Sequence, residues 1–95
     1  MRVLGIDPGS RVIGYGVVEQ RAGHLIHLGH GVIRAEASLA LELRLYRLFS
    51  ELLAATQRYR PDSVAVEGVF ACRNMRSALI LGHARGIALL VAKCD

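Results

Sequence analysis

Residues 2–9, Arg2-Val3-Leu4-Gly5-Ile6-Asp7-Pro8-Gly9, decide how the rest of the chain is read. A short apolar run ending in a carboxylate and then in Pro-Gly reads as a buried strand, Arg2 to Asp7, closed by a tight turn. Beyond the turn, Val12 to Gln20 is a second strand. Its Gly14 and Gly16 fall on one face of a period-two element and leave room there for a close backbone or a ligand. Arg21-Ala22-Gly23 makes the next turn, and His24 to Arg34 is a third strand. Three strands joined by short turns form an antiparallel meander.

After the meander the period changes. Ser38 is the expected N-cap of a helix, in which Leu41, Leu45, Leu48, Phe49, Leu52 and Ala55 keep helical spacing until Arg60-Pro61 ends it. Leu39, Leu41, Leu43 and Leu45 also alternate as in a strand, but the length of the segment and its scarcity of β-branched residues favour helix. Asp62 to Val69 reads as a strand buried on both faces. Arg76 to Lys93 reads as a second helix, with Ala78, Gly82 and Gly86 at four-residue steps that would let it pack closely on a neighbour. The order β-β-β-α-β-α is a mixed α/β layout.

Composition narrows the function classes. The chain has 95 residues, 53% of them hydrophobic, which suits one small core-forming domain and excludes a disordered tail. A net charge of +4, with eleven of the twelve basic residues arginine, favours an anionic partner such as phosphate, although a GC-rich genome enriches arginine as well. Cys72 and Cys94 make neither a redox spacing nor a disulfide framework. The N-terminus has no signal-peptide layout, and His83 and Arg85 interrupt the late apolar stretch. The expectation is a cytoplasmic protein without a membrane span.

Asp7 and Glu67 stand out on chemistry alone. A strand, a helical crossover and a strand pair in parallel, so the first and fourth strands can lie side by side with both acids at their carboxyl ends, where open α/β sheets place ligands. Each has a small residue two positions behind it, Gly5 and Ala65, on the same face. Two carboxylates a few ångströms apart repel unless a proton or a cation intervenes, and Mg²⁺ takes hard oxygen ligands. The alternative is that Asp7 caps the turn and Glu67 ends a strand in solvent. His24, His27 and His30 lie on one strand at odd steps, which point to opposite faces. With His83 they fit no compact metal site and read as structural.

The motifs Gly5-Ile6-Asp7-Pro8-Gly9-Ser10-Arg11 and Gly14-Tyr15-Gly16, then Ala65-Val66-Glu67-Gly68-Val69-Phe70, then Asn74, Ser77-Ala78-Leu79 and Leu81-Gly82-His83-Ala84-Arg85-Gly86, resemble the RuvC family of Holliday junction resolvases in order and spacing. The resemblance implies an RNase H-like fold and a homodimer that nicks four-way DNA junctions symmetrically in recombination and repair, alongside the branch-migration helicase complex of that pathway. It makes Asp7 and Glu67 catalytic metal ligands for Mg²⁺, with Mn²⁺ as a substitute, and Phe70 an aromatic that stacks on an unpaired base at the junction centre. Arg11, Arg73 and Arg76 flank the acids and are candidate phosphate contacts.

The family completes its acidic cluster with two aspartates on a later helix, and Asp95 matches neither. Residues 1–95 are therefore expected to be the N-terminal part of a single RNase H-like nuclease domain, its sheet incomplete, and to be inactive without the remainder. A sugar-kinase or actin-like ATPase also places Asp-x-Gly-Ser on a first hairpin, but has no clear place for Glu67-Gly68-Val69-Phe70. A non-catalytic or RNA-processing relative would keep the fold and lose the acids or the junction specificity, and the presence of both Asp7 and Glu67 argues against a dead relative. A purely structural module would leave the paired acids unexplained.

Overall fold

Strand β1 (Arg2–Asp7) runs into the Pro8-Gly9 turn, and β2 (Val12–Arg21) returns antiparallel to it, pairing Gly5 with Gly16 and Asp7 with Gly14. A Cβ on Gly9 would strike the Val12 carbonyl oxygen, so this turn closes only around glycine. Ala22 and Gly23 both have positive φ, 50° and 81°, the two-residue hairpin geometry whose twist matches the flanking strands. They lead into β3 (His24–Arg34). The computed structural model describes residues 1–68 and 75–94, and its elements keep the expected β-β-β-α-β-α order.

The first helix, α1 (Leu41–Tyr59), starts three residues after Ser38. Ala40 occupies the N-cap without a side-chain hydrogen bond, and the Ser38 hydroxyl donates instead to Glu36 at 3.4 Å. The expected Ser38 cap is thus corrected: a residue two positions before the cap cannot reach the first free amides of the helix. The C-terminus is as read. Arg60 takes the left-handed conformation, φ 48°, and its N–H donates to the Thr56 carbonyl at 2.9 Å before Pro61 forbids another turn.

The fourth strand, β4 (Ser63–Val66), is shorter than the expected 62–69 and is not buried on both faces. Val64 and Val66 pack toward the core while Ala65 is exposed. It pairs in parallel with β1, giving the sheet order β3-β2-β1-β4. The second helix, α2 (Met75–Lys93), buries Ala84, Ala88 and Val91. Ala78, Gly82 and Gly86 are exposed, and a Cβ on either glycine would meet nothing within 4 Å. The close-packing stripe is therefore the alanines, one helical face away from the expected one.

By length and composition alone α2 could also cross a membrane, with mean hydropathy 1.3 despite His83 and Arg85. The two interruptions do not exclude a span as expected, but Ala88 and Val91 join the common core, which assigns α2 to the globular body.

One face of the sheet makes that core. Leu4, Ile6, Ile13, Val17 and Ile33 meet Leu48 and Leu52 of α1 and Ala88 and Val91 of α2 in a single cluster. Each fully buried Leu, Ile or Val side chain there stabilises the fold by roughly 1.5–3 kcal/mol. The β2–β3 register shifts between Val17, opposite Gly29, and Val18, opposite His27, so Leu28 is an extra residue in β3. This bulge overturns the expectation that the odd step from His27 to His30 separates them. Both side chains meet on one face, 3.0 Å apart.

Candidate active site

Asp7 is the last residue of β1, and Glu67 directly follows β4. The parallel register pairs Gly5 with Ala65 and Ile6 with Val66, and the Glu67 N–H extends the ladder by donating to the Ile6 carbonyl at 2.9 Å. The two acids are therefore level, and period-two alternation sends both away from the helices. A contact at the far end of the strands holds this register. The Arg2 N–H donates to the Asp62 carboxylate at 2.8 Å, and the Asp62 N–H donates back to the Arg2 carbonyl at 2.8 Å. The Arg2 guanidinium also donates to the Tyr59 carbonyl, tying the end of α1 to β1. Sequence reading missed Asp62 as a positioning residue. Its one signal was its place between the Arg60-Pro61 helix stop and the valine run.

The acids stand over an open trough of about 370 Å³ whose wall includes Gly5, Gly14, Gly16 and Ala65. A Cβ on Gly14 or Gly16 would meet nothing within 4 Å, so the room expected from these glycines is present. The Glu67 carboxyl is held above its ordinary value, first by a hydrogen bond with the Asp7 side chain, then by the Asp7 charge, and last by burial. Two carboxyl groups in such contact share a proton or a cation. Hard oxygen donors, an open approach and small residues behind both acids suit a divalent ion such as Mg²⁺. Among the described residues no group of three or more His, Cys, Asp or Glu gathers at one point, so the pair by itself supplies two ligand groups.

The arginines occupy different ground. Arg11 is exposed in the β1–β2 turn and borders a hollow of about 280 Å³ with Ser10, Arg44 and Ser77. Arg76, also exposed, is next to Ser77 on the first turn of α2. A second hollow joins Arg11 to Arg34 and Arg47. Arg34 and Arg44 were not singled out from the sequence, because they come from β3 and α1 and reach Arg11 only through the fold. Phe70 and Arg73 lie outside the described residues, as do Val69 and Cys72.

The chain is similar to proteins that are already known. The family model described as crossover junction endodeoxyribonuclease RuvC matches residues 3–94. The crossover junction endodeoxyribonuclease RuvC of Myxococcus xanthus is 62% identical over 92 residues, covering 97% of this chain and 48% of the relative. Its counterpart in Geobacter metallireducens is 49% identical over 90 residues, covering 95% and 55%. A solved structure of T. thermophilus RuvC in complex with a Holliday junction substrate superimposes with a TM-score of 0.86 at 32% identity, over 98% of this chain and 58% of that one. The chain spans about half the length of the curated relatives it matches.

Proposed function

The chain belongs to the RuvC family of crossover junction endodeoxyribonucleases, and on that premise we propose that Asp7 and Glu67 are two of the carboxylates at which such an enzyme cuts four-way DNA junctions. The observation that carries this reading is the pair itself: two acids held level on adjacent parallel strands, in contact, over a glycine-walled trough. Asp7 and Glu67 would hold Mg²⁺, or Mn²⁺ in its place. That ion would supply charge neutralisation at the scissile phosphate and activation of the attacking water. The chain's own part is to fix the two carboxylates in register and to keep the space between them and the meander free for a sugar-phosphate strand.

Arg11 would contact phosphates from the hollows that it borders with Arg34 and Arg44, and Arg76 from the first turn of α2. Phe70 and Arg73 complete the proposed DNA contacts, Phe70 by stacking on an unpaired base. The reading extends to the N-terminal part of a single RNase H-like nuclease domain, a homodimer acting with a branch-migration helicase complex, and a cytoplasmic setting.

The test separates binding from cutting. In a protein carrying these residues at the full length of its relatives, Asp7→Asn should lower Mg²⁺-dependent junction cleavage by at least about a hundredfold while leaving junction affinity within roughly threefold. The carboxylate serves the metal, whereas affinity comes chiefly from cationic contacts to phosphate. Gel-shift and cleavage assays on one synthetic four-way junction measure both. Parallel loss of binding and cutting would overturn the assignment.

A further inference from the structure

The two β3 histidines that the bulge brings together are not used by the acid site. The exposed His27 and His30 rings have centroids 5.0 Å apart with a 38° tilt, and His27 Nε2 faces His30 Nδ1 at 3.0 Å. β3 is an outer strand of the sheet, and His30 is opposite Gly16, which has no side chain to cover it. Without the extra Leu28 the two rings would leave the strand on opposite faces. The bulge turns a three-residue step into two ladder positions and re-aims both side chains together.

Two imidazole nitrogens at this distance can share one proton, and a divalent transition cation can replace it. We propose that His27 and His30 form a two-imidazole chelate for a borderline divalent metal of the Cu²⁺, Ni²⁺ or Zn²⁺ class. The geometry favours the first two. Metal–nitrogen bonds of about 2.0–2.1 Å across a 3.0 Å gap subtend roughly 95° at the ion. That angle fits cis positions in tetragonal coordination, which Cu²⁺ and Ni²⁺ prefer, better than the wider tetrahedral angle of Zn²⁺. Mg²⁺, with its demand for oxygen ligands, should ignore the pair. The site is independent of the nuclease reading, since it shares no residue with Asp7 and Glu67.

Calorimetric titration with NiCl₂, and with MgCl₂ as the counter-probe, tests this on the protein as it stands. The expected result is one saturable equivalent of Ni²⁺, weakened roughly tenfold or more by His27→Ala and by His30→Ala, because each removes half of a chelate. His24→Ala, His83→Ala, Cys94→Ser and the double variant Asp7→Asn/Glu67→Gln should bind as the parent does. The last of these separates this site from the acid pair. His27→Gln and His30→Gln, with circular dichroism on every variant, distinguish lost ligation from lost folding. Absence of saturable Ni²⁺ binding in the parent, or binding that survives either histidine substitution, would overturn the proposal.

Discussion

On β1, Leu4 and Ile6 turn toward the helices and are at most 3% exposed, while their neighbours Gly5 and Asp7 turn onto the open trough. The same alternation holds on β2, where Ile13 and Val17 are buried and Gly14 and Gly16 leave bare backbone. The covered face is filled with branched aliphatic side chains that lock against α1 and α2. The open face carries small residues, two acids and a histidine pair, which add little to packing. A strand with period two can thus hold stability on one side and chemistry on the other, and substitutions should divide along that line.

The largest expected effect is on the covered face. Leu52 is fully buried in α1, so Leu52→Ala should destabilise the fold by about 2–5 kcal/mol, a large share of what a chain this short possesses. Urea denaturation measures it. A cost under about 1 kcal/mol would mean that the two faces are not so different.

Gly14→Val probes the other side with a larger side chain. Its Cβ has open space and valine suits a strand, so stability should change by no more than about 1 kcal/mol in either direction. Cleavage by a full-length protein should nonetheless fall, because the added bulk stands opposite Asp7 in the trough. Strong destabilisation, or undiminished cleavage, would blur the division.

The smallest effect concerns the acid pair. The Glu67 carboxyl titrates above its ordinary 4.5 when folded, so the shared proton stabilises the fold at pH below that ordinary value. This contribution is lost as pH rises through the raised one. Both acids are exposed and solvent screens them, so the change is confined to a modest decline in Tm as pH rises from 4.5 through the raised value. Glu67→Gln should flatten that decline, and Mg²⁺ should raise the Tm of the parent at pH 7 but not that of the variant. Thermal melts across that range, with and without Mg²⁺, would sharpen or dissolve the link between the pair and a cation.

Much of the molecule was readable before folding was considered. Strands Arg2–Asp7 and His24–Arg34, the stop at Arg60-Pro61 and the meeting of Asp7 with Glu67 follow from periodicity, turn chemistry and the parallel crossover, all of which are properties of neighbouring residues or of chain direction. Other features were not. The Leu28 bulge reverses the facing of His27 relative to His30, and nothing local in an alternating run announces one extra residue. Ala40 rather than Ser38 occupies the N-cap of α1, and α2 packs through Ala84 and Ala88 rather than through Gly82 and Gly86. Local pattern dictates which elements form and in what order, because backbone sterics and hydrophobic spacing act over a few residues. Which face of each element is covered, and which side chains from distant segments such as Arg11, Arg34 and Arg44 come together, depends on how all the elements share one core.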